Sequence, residues 1–184
     1  LDREPEVVLA YSLYDYIDEY GSAIFSPSCI ANTKNMNIIL RINHLFYSWL
    51  SSHPQCSLMK SNIIRKISFV ENFRNVLNDD VIFFFQLSLA GEFVQIPQKL
   101  FYFRVNRPSE KPIKTTYRRI KDIYSKKNQK YPLFFYFFHQ LYVYFIVICK
   151  SSLHWYLKPF IFLFVVFNIS LFYLKIIIRM ITKK

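Results

Sequence analysis

The alternation of apolar and polar positions divides the chain into short strand-like and helix-like segments. Residues 5–12 (PEVVLAYS) form an apolar run after a proline and predict a strand, and residues 16–21 (YIDEYG) predict a second strand entering a turn with acids at its bend. Asp18 and Glu19 are turn carboxylates on this reading. Residues 22–36 are polar, contain Pro27 and read as a surface loop. Over residues 37–50, Ile38, Ile42, Leu45, Phe46 and Trp49 recur at helical spacing, which predicts an amphipathic helix packed on a sheet. His53-Pro54 interrupts the chain. Residues 57–67 then predict another helix, with Arg65 and Lys66 in its last turn, where cations complement the helix dipole.

The segment 78–105, NDDVIFFFQLSLAGEFVQIPQKLFYFRV, carries the strongest local pattern. Asp79 and Asp80 precede an apolar run, where carboxylates can cap free amides and are favoured by the dipole. Phe83, Phe84, Leu87 and Ala90 fall on one helical face, and Gly91 suits a left-handed residue just past a helix end. A buried strand over 81–85 is the alternative, because β-branched and aromatic residues favour strands. Residues 92–96 predict a short strand closed by Pro97, and 100–105 a second strand ending before Arg107-Pro108.

Composition narrows the class. A chain of 184 residues with 53% hydrophobic and 20% aromatic residues is long enough for one domain and an appendage, and it is not a disordered chain. Cys29, Cys56 and Cys149 are odd in number and far apart, which reads as reduced thiols in a cytosolic setting. His44, His53, His139 and His154 are equally scattered, so no metal ligands are assigned. The net charge of +12 is unevenly placed. Residues 1–36 hold six acids against two bases, whereas residues 111–184 hold fourteen bases and only Asp122. Such asymmetry points to an anionic partner surface. Nucleic acid is disfavoured, because the aromatics sit in apolar blocks and do not alternate with the bases.

The motif D-x-x-F-x-x-x-L-x-x-x-G at Asp80, Phe83, Leu87 and Gly91, followed by Ile96-Pro97 and by Leu100, Tyr102 and Arg104, resembles the C-terminal half of the catalytic domain of family 2 glycosyltransferases of GT-A fold. Residues 5–21 are similar to the segment that follows the nucleotide-binding half of those enzymes. The resemblance implies an α/β fold: a partial GT-A, Rossmann-like mixed sheet with packed helices, over residues 1–106. It implies an inverting transfer of sugar from a nucleotide-sugar donor to a hydroxyl of a saccharide or lipid-linked acceptor. Asp80 is then the catalytic base, and Asp79, Arg104 and Trp49 border the substrates. Trp49 could stack on a sugar ring or be a core residue, and Arg104 could face the diphosphate or end a strand in a surface ion pair. The family also implies a divalent cation, Mg or Mn, held by an upstream D-x-D motif that this sequence lacks. Where relatives often carry a histidine two residues after the arginine, this chain has Asn106. The donor-binding half and the natural start are therefore expected upstream of Leu1, and the chain by itself is expected to be inactive.

Residues 107–130 read as a basic linker, and residues 131–184 as an apolar, aromatic-rich helical pair flanked by bases. The uncharged runs 131–149 and 159–174 are diluted or short for a bilayer span. They suit a helix lying in an anionic interface, a hairpin dipping into it, or a soluble pair covering the sheet. Together these features place the protein in the cytoplasm, peripheral to the inner face of the membrane. The alternative function is a non-catalytic, membrane-associated basic module, or a decayed fragment of such an enzyme.

Overall fold

The computed structural model describes residues 1, 3–26, 32–48, 57–67, 79–104 and 133–182. Its architecture is mixed α/β. A four-stranded sheet comprises β1 (Val7–Ile17), β2 (Ala23–Phe25), β3 (Ser57–Met59) and β4 (Glu92–Arg104). Helices α1 (Ile38–Ser48), α2 (Ser61–Lys66), α3 (Asp79–Ala90), α4 (Leu133–Lys150) and α5 (Leu157–Thr182) complete the described elements. The basic stretch 107–130 lies outside the described residues.

Strand β1 is the centre of the sheet. It pairs antiparallel with β2 and β3 on short stretches, and parallel with β4 along its whole length, from Val7 opposite Glu92 to Ile17 opposite Arg104. Segments 5–12 and 16–21, expected as two strands, are therefore one, and so are 92–96 and 100–105. Each long strand lends the other its ladder, and a proline that would end an isolated strand is absorbed as a local irregularity. The register slips between Ser12 and Leu13 and again between Leu13 and Tyr14, opposite the stretch that contains Pro97. Residues 22–36 are not all loop, since Ala23–Phe25 forms β2. The expected helix 57–67 is divided: Ser57–Met59 pairs with β1, and only Ser61–Lys66 is helical.

The turn-rich segment 32–37 is tied to the start of β4. Thr33, fully buried, donates its N–H to the Phe93 carbonyl and accepts the Phe93 N–H at its hydroxyl, both at 2.8 Å. Asn35, at φ 62°, donates its N–H to the Glu92 carboxylate at 3.0 Å. Arg41 on α1 lies half-buried near Glu92 and Glu6. Burial pulls its guanidinium below the ordinary value, while those two acids act in the opposite sense.

Helix α3 is buried on nearly all sides, not along one stripe. Ile82, Phe84, Phe85 and Leu87 are inaccessible, whereas Ala90 is exposed and Phe83 only partly covered. Consecutive phenylalanines serve different layers: Phe84 meets Phe93 of the sheet (6.5 Å between ring centroids), and Phe85 meets Phe46 of α1 (6.2 Å) and Tyr144 of α4 (4.8 Å). A helix apolar all round needs such enclosure. Gly91 follows α3, but no left-handed φ is found there; its role is close approach. A Cβ at Gly91 would run into Val8 Cγ1 and the Glu6 carbonyl oxygen. Gly91 N donates to Leu87 O (3.0 Å), and Glu92 N donates to Glu6 O (2.8 Å), so the helix ends directly on the ladder to β1.

The C-terminal segment forms an antiparallel hairpin. Phe145 faces Phe162, and Phe137 and Gln140 face Tyr173, with the Tyr173 hydroxyl donating to Gln140 Oε1 at 3.1 Å. Helix α5 outruns the uncharged stretch 159–174 at both ends; Pro159 is tolerated in its first turn, where an N–H is not needed. The inner residues of this hairpin belong to the same hydrophobic cluster as β1, α1 and α3. One core therefore spans what sequence composition divides into two segments.

Candidate functional site

Parallel strands with a helix leading into the second place ligand sites beyond the strands' carboxyl ends; β1 and β4 are such a parallel pair, and α3 leads directly into β4 after β2, α1, β3 and α2. The ring contact between Phe84 and Phe93 requires α3 to double back over the start of β4. Its acidic first turn, Asp79-Asp80, is thus displaced from Gly91 toward the carboxyl-end side of the sheet, by roughly 18 Å for a 12-residue helix. The helix begins at Asp79, so both acids belong to its first turn. Their side chains, and Trp49 entirely, lie outside the described residues.

Arg104 closes β4 opposite Ile17 at the carboxyl end of the parallel pair. It is exposed, and its Nη1 donates to the Glu19 carbonyl oxygen at 3.3 Å. Of the two roles open to Arg104, the contact seen is a strand-end one, made to a backbone oxygen and not to an acid. The turn it touches is self-organised. Asp18 Oδ1 accepts the N–H groups of Tyr20 (2.9 Å) and Ser22 (2.8 Å), and Gly21 takes φ 87°, the left-handed region that suits glycine.

Two features near this end escaped sequence reasoning. Asp15 is buried between Tyr14 and Tyr16, yet it accepts the Ser26 hydroxyl at 2.5 Å and the Lys99 ammonium at 2.9 Å. The Ser26 hydroxyl and the Lys99 ammonium hold its carboxyl below the usual aspartate value, against the opposing effect of burial. On the opposite face of β1, to which strand alternation turns Tyr14 and Tyr16, stands an aromatic cluster: Tyr14 stacks on Phe101 (4.9 Å), and Tyr16 contacts Phe103 (5.4 Å) and Phe25 (6.1 Å). The period-two spacing of Tyr14 and Tyr16, and of Phe101 and Phe103, was the available signal; it becomes one patch only through the Tyr14–Phe101 and Tyr16–Phe103 register. Phe25 and Phe103 remain substantially exposed.

Among the described residues no three His, Cys, Asp or Glu side chains converge as a metal site. The described residues therefore do not supply a ligand set for the divalent cation that the resemblance implies. No family model matches the chain, and searches of curated proteins and of solved structures find no match either.

Proposed function

We propose that this chain is the acceptor-side half of an inverting family 2 glycosyltransferase of GT-A type, moving a sugar from a nucleotide-sugar donor to a saccharide or lipid-linked hydroxyl. The observation that supports it best is the crossover itself. An acidic pair opens a buried helix, the helix turns through Gly91 without a loop, and the following strand runs parallel to β1 to end at Arg104. The acidic pair, Gly91 and Arg104 thus lie on one continuous helix–strand unit, and ligand sites beyond the carboxyl ends of parallel strands are the kind of place that suits their chemistry.

In this reading Asp80 takes the proton of the acceptor hydroxyl as the new bond to the anomeric carbon forms. The bond to the donor's diphosphate breaks, and the diphosphate leaves with the electron pair. One base on the acceptor side suffices for inversion. The first-turn position favours the ionised carboxylate through the amides behind it, and neighbouring Asp79 opposes this by like charge. Exposed rings such as Phe25 and Phe103 offer flat apolar faces of the kind on which pyranose rings sit.

The test uses a gene product carrying a donor-binding half with a D-x-D motif ahead of Leu1, assayed for transfer from a panel of sugar nucleotides. Asp80→Asn keeps shape and hydrogen bonding but removes basicity, so kcat should fall about 100-fold or more with donor affinity little changed. Near wild-type transfer by Asp80→Asn alongside an inactive Asp79→Asn would move the assignment to Asp79. Absence of transfer by the wild type with every donor would leave the membrane-associated, non-catalytic module as the function.

A further inference from the structure

The outward face of the α4–α5 hairpin presents large apolar side chains to solvent. On α5, Phe160, Leu163 and Phe167 recur at spacings of three and four, the first two 66% and 65% exposed; on α4, Phe138, Tyr142 and Phe145 do the same. The two rows join where Phe145 meets Phe162, 5.2 Å between ring centroids. The other side of α5, along Ile161, Val165 and Ile169, is buried in the core. Helix α5 thus lacks a polar face over Leu157–Lys175, a stretch of mean hydropathy 2.0 of which only 22% is buried. The helix of a water-soluble pair would turn polar side chains outward here.

Charge and aromatic placement identify what covers the face. Residues 123–184 contain nine lysines and arginines and no aspartate or glutamate. Lys150 and Lys158 flank the turn between the helices, and Lys175 follows the apolar row. At that turn Trp155 is 81% exposed and Tyr156 lies beside it, the residue types that lodge at headgroup level. We infer that this face docks on an anionic lipid leaflet, with the hairpin lying in the plane of the interface and not crossing the bilayer. The inference is independent of the sugar-transfer reading.

The in-plane orientation follows from packing. Tyr144 contacts Phe46 of α1 and Phe85 of α3. Leu157–Lys175 is long and apolar enough to cross a bilayer, and because Phe145 pairs with Phe162, Tyr144 stands at the height of that stretch's interior and not beyond its end. A hairpin crossing the bilayer would draw α1, with Arg41, Asn43 and His44, into hydrocarbon at a large desolvation cost. Lying flat, the same hairpin buries its outer rings and leaves α1, α3 and the sheet in water, as amphipathic interfacial elements do.

The full chain carrying Trp49→Phe, so that Trp155 is the sole indole, is mixed with vesicles of phosphatidylcholine with or without phosphatidylglycerol. Recovery on the anionic vesicles should be at least about tenfold higher and should fall in high salt. Trp155 should be quenched more by lipid bromines near the glycerol end of the chain than near its methyl end, and not by iodide trapped in the vesicle lumen. The variant Phe160→Ser/Leu163→Ser/Phe167→Ser changes exposed positions only, so it should keep the wild-type circular dichroism and urea midpoint while losing about tenfold in vesicle recovery. Equal recovery on neutral and anionic vesicles, or quenching by trapped iodide, would overturn the proposal. So would a dimer that shields Trp155 without binding vesicles, since a second copy of the chain would then own the face.

Discussion

At the scale of single residues, Gly91 and Asp15 carry consequences that can be measured. A methyl group at Gly91 meets Val8 Cγ1, which can shift, and the Glu6 carbonyl oxygen, which belongs to the ladder and cannot. Gly91→Ala should therefore destabilise by about 1–3 kcal/mol, the range for overpacking. Adding Val8→Ala should not restore the loss, because the backbone contact remains; urea midpoints of the single and double variants decide this. Asp15 is a depressed carboxylate, so its contribution is present above the ordinary aspartate pKa and is lost as pH falls through the lower folded value. Wild-type stability should decline as pH drops below about 4. Asp15→Asn should be less stable at neutral pH and show a shallower acid decline. Identical acid slopes in urea titrations would exclude Asp15 as a contributor.

At the scale of elements, α3 is the joint between the sheet and the helical layers. Its Phe85 touches both Phe46 and Tyr144, and removal leaves a cavity that three elements line. Phe85→Ala should cost about 3–5 kcal/mol. Phe83→Ala, at a half-buried position, should cost clearly less. A ranking in the opposite order in chemical denaturation would mean that α3 packs on a different side. The strong local pattern of 78–105 was enough to place a helix ending before Gly91, with acids at its start and a strand after it. It misread the glycine, because helix-end statistics speak of backbone conformation, whereas this position is set by the approach of a strand 83 residues earlier in the chain (Val8).

At the scale of the whole molecule, the hairpin is both a core layer and an outward apolar face. Deleting residues 131–184 would uncover Phe46 and Phe85. The truncated chain should bind a hydrophobic dye and lose its cooperative urea transition, even though α1, α3 and all four strands remain in it. A cooperative transition like that of the full chain would show that the sheet layer folds alone. For the same reason membrane binding is better tested by substitutions on the exposed row than by truncation.

Periodicity and turn chemistry determined α1, most of α3, the Asp18–Ser22 turn and the existence of two apolar C-terminal helices, because each depends on neighbours within a few residues. The acidic pair's place at a helix start was legible for the same local reason, whereas the site roles of Asp79, Asp80 and Arg104 rested on the resemblance to family 2 glycosyltransferases. Tertiary structure alone decided that 5–21 holds one strand and not two, that Pro97 lies inside a strand, and that Ser57–Met59 pairs with β1: a ladder's energy comes from its partner, and the partner is distant in sequence. It also decided the Asp15–Ser26–Lys99 contact and the aromatic patch, which register assembles from residues up to 89 positions apart (Tyr14 and Phe103). The hairpin's two sides were equally apolar in sequence. Only packing of Tyr144 on Phe46 and Phe85 distinguished the side that closes the core from the side left exposed.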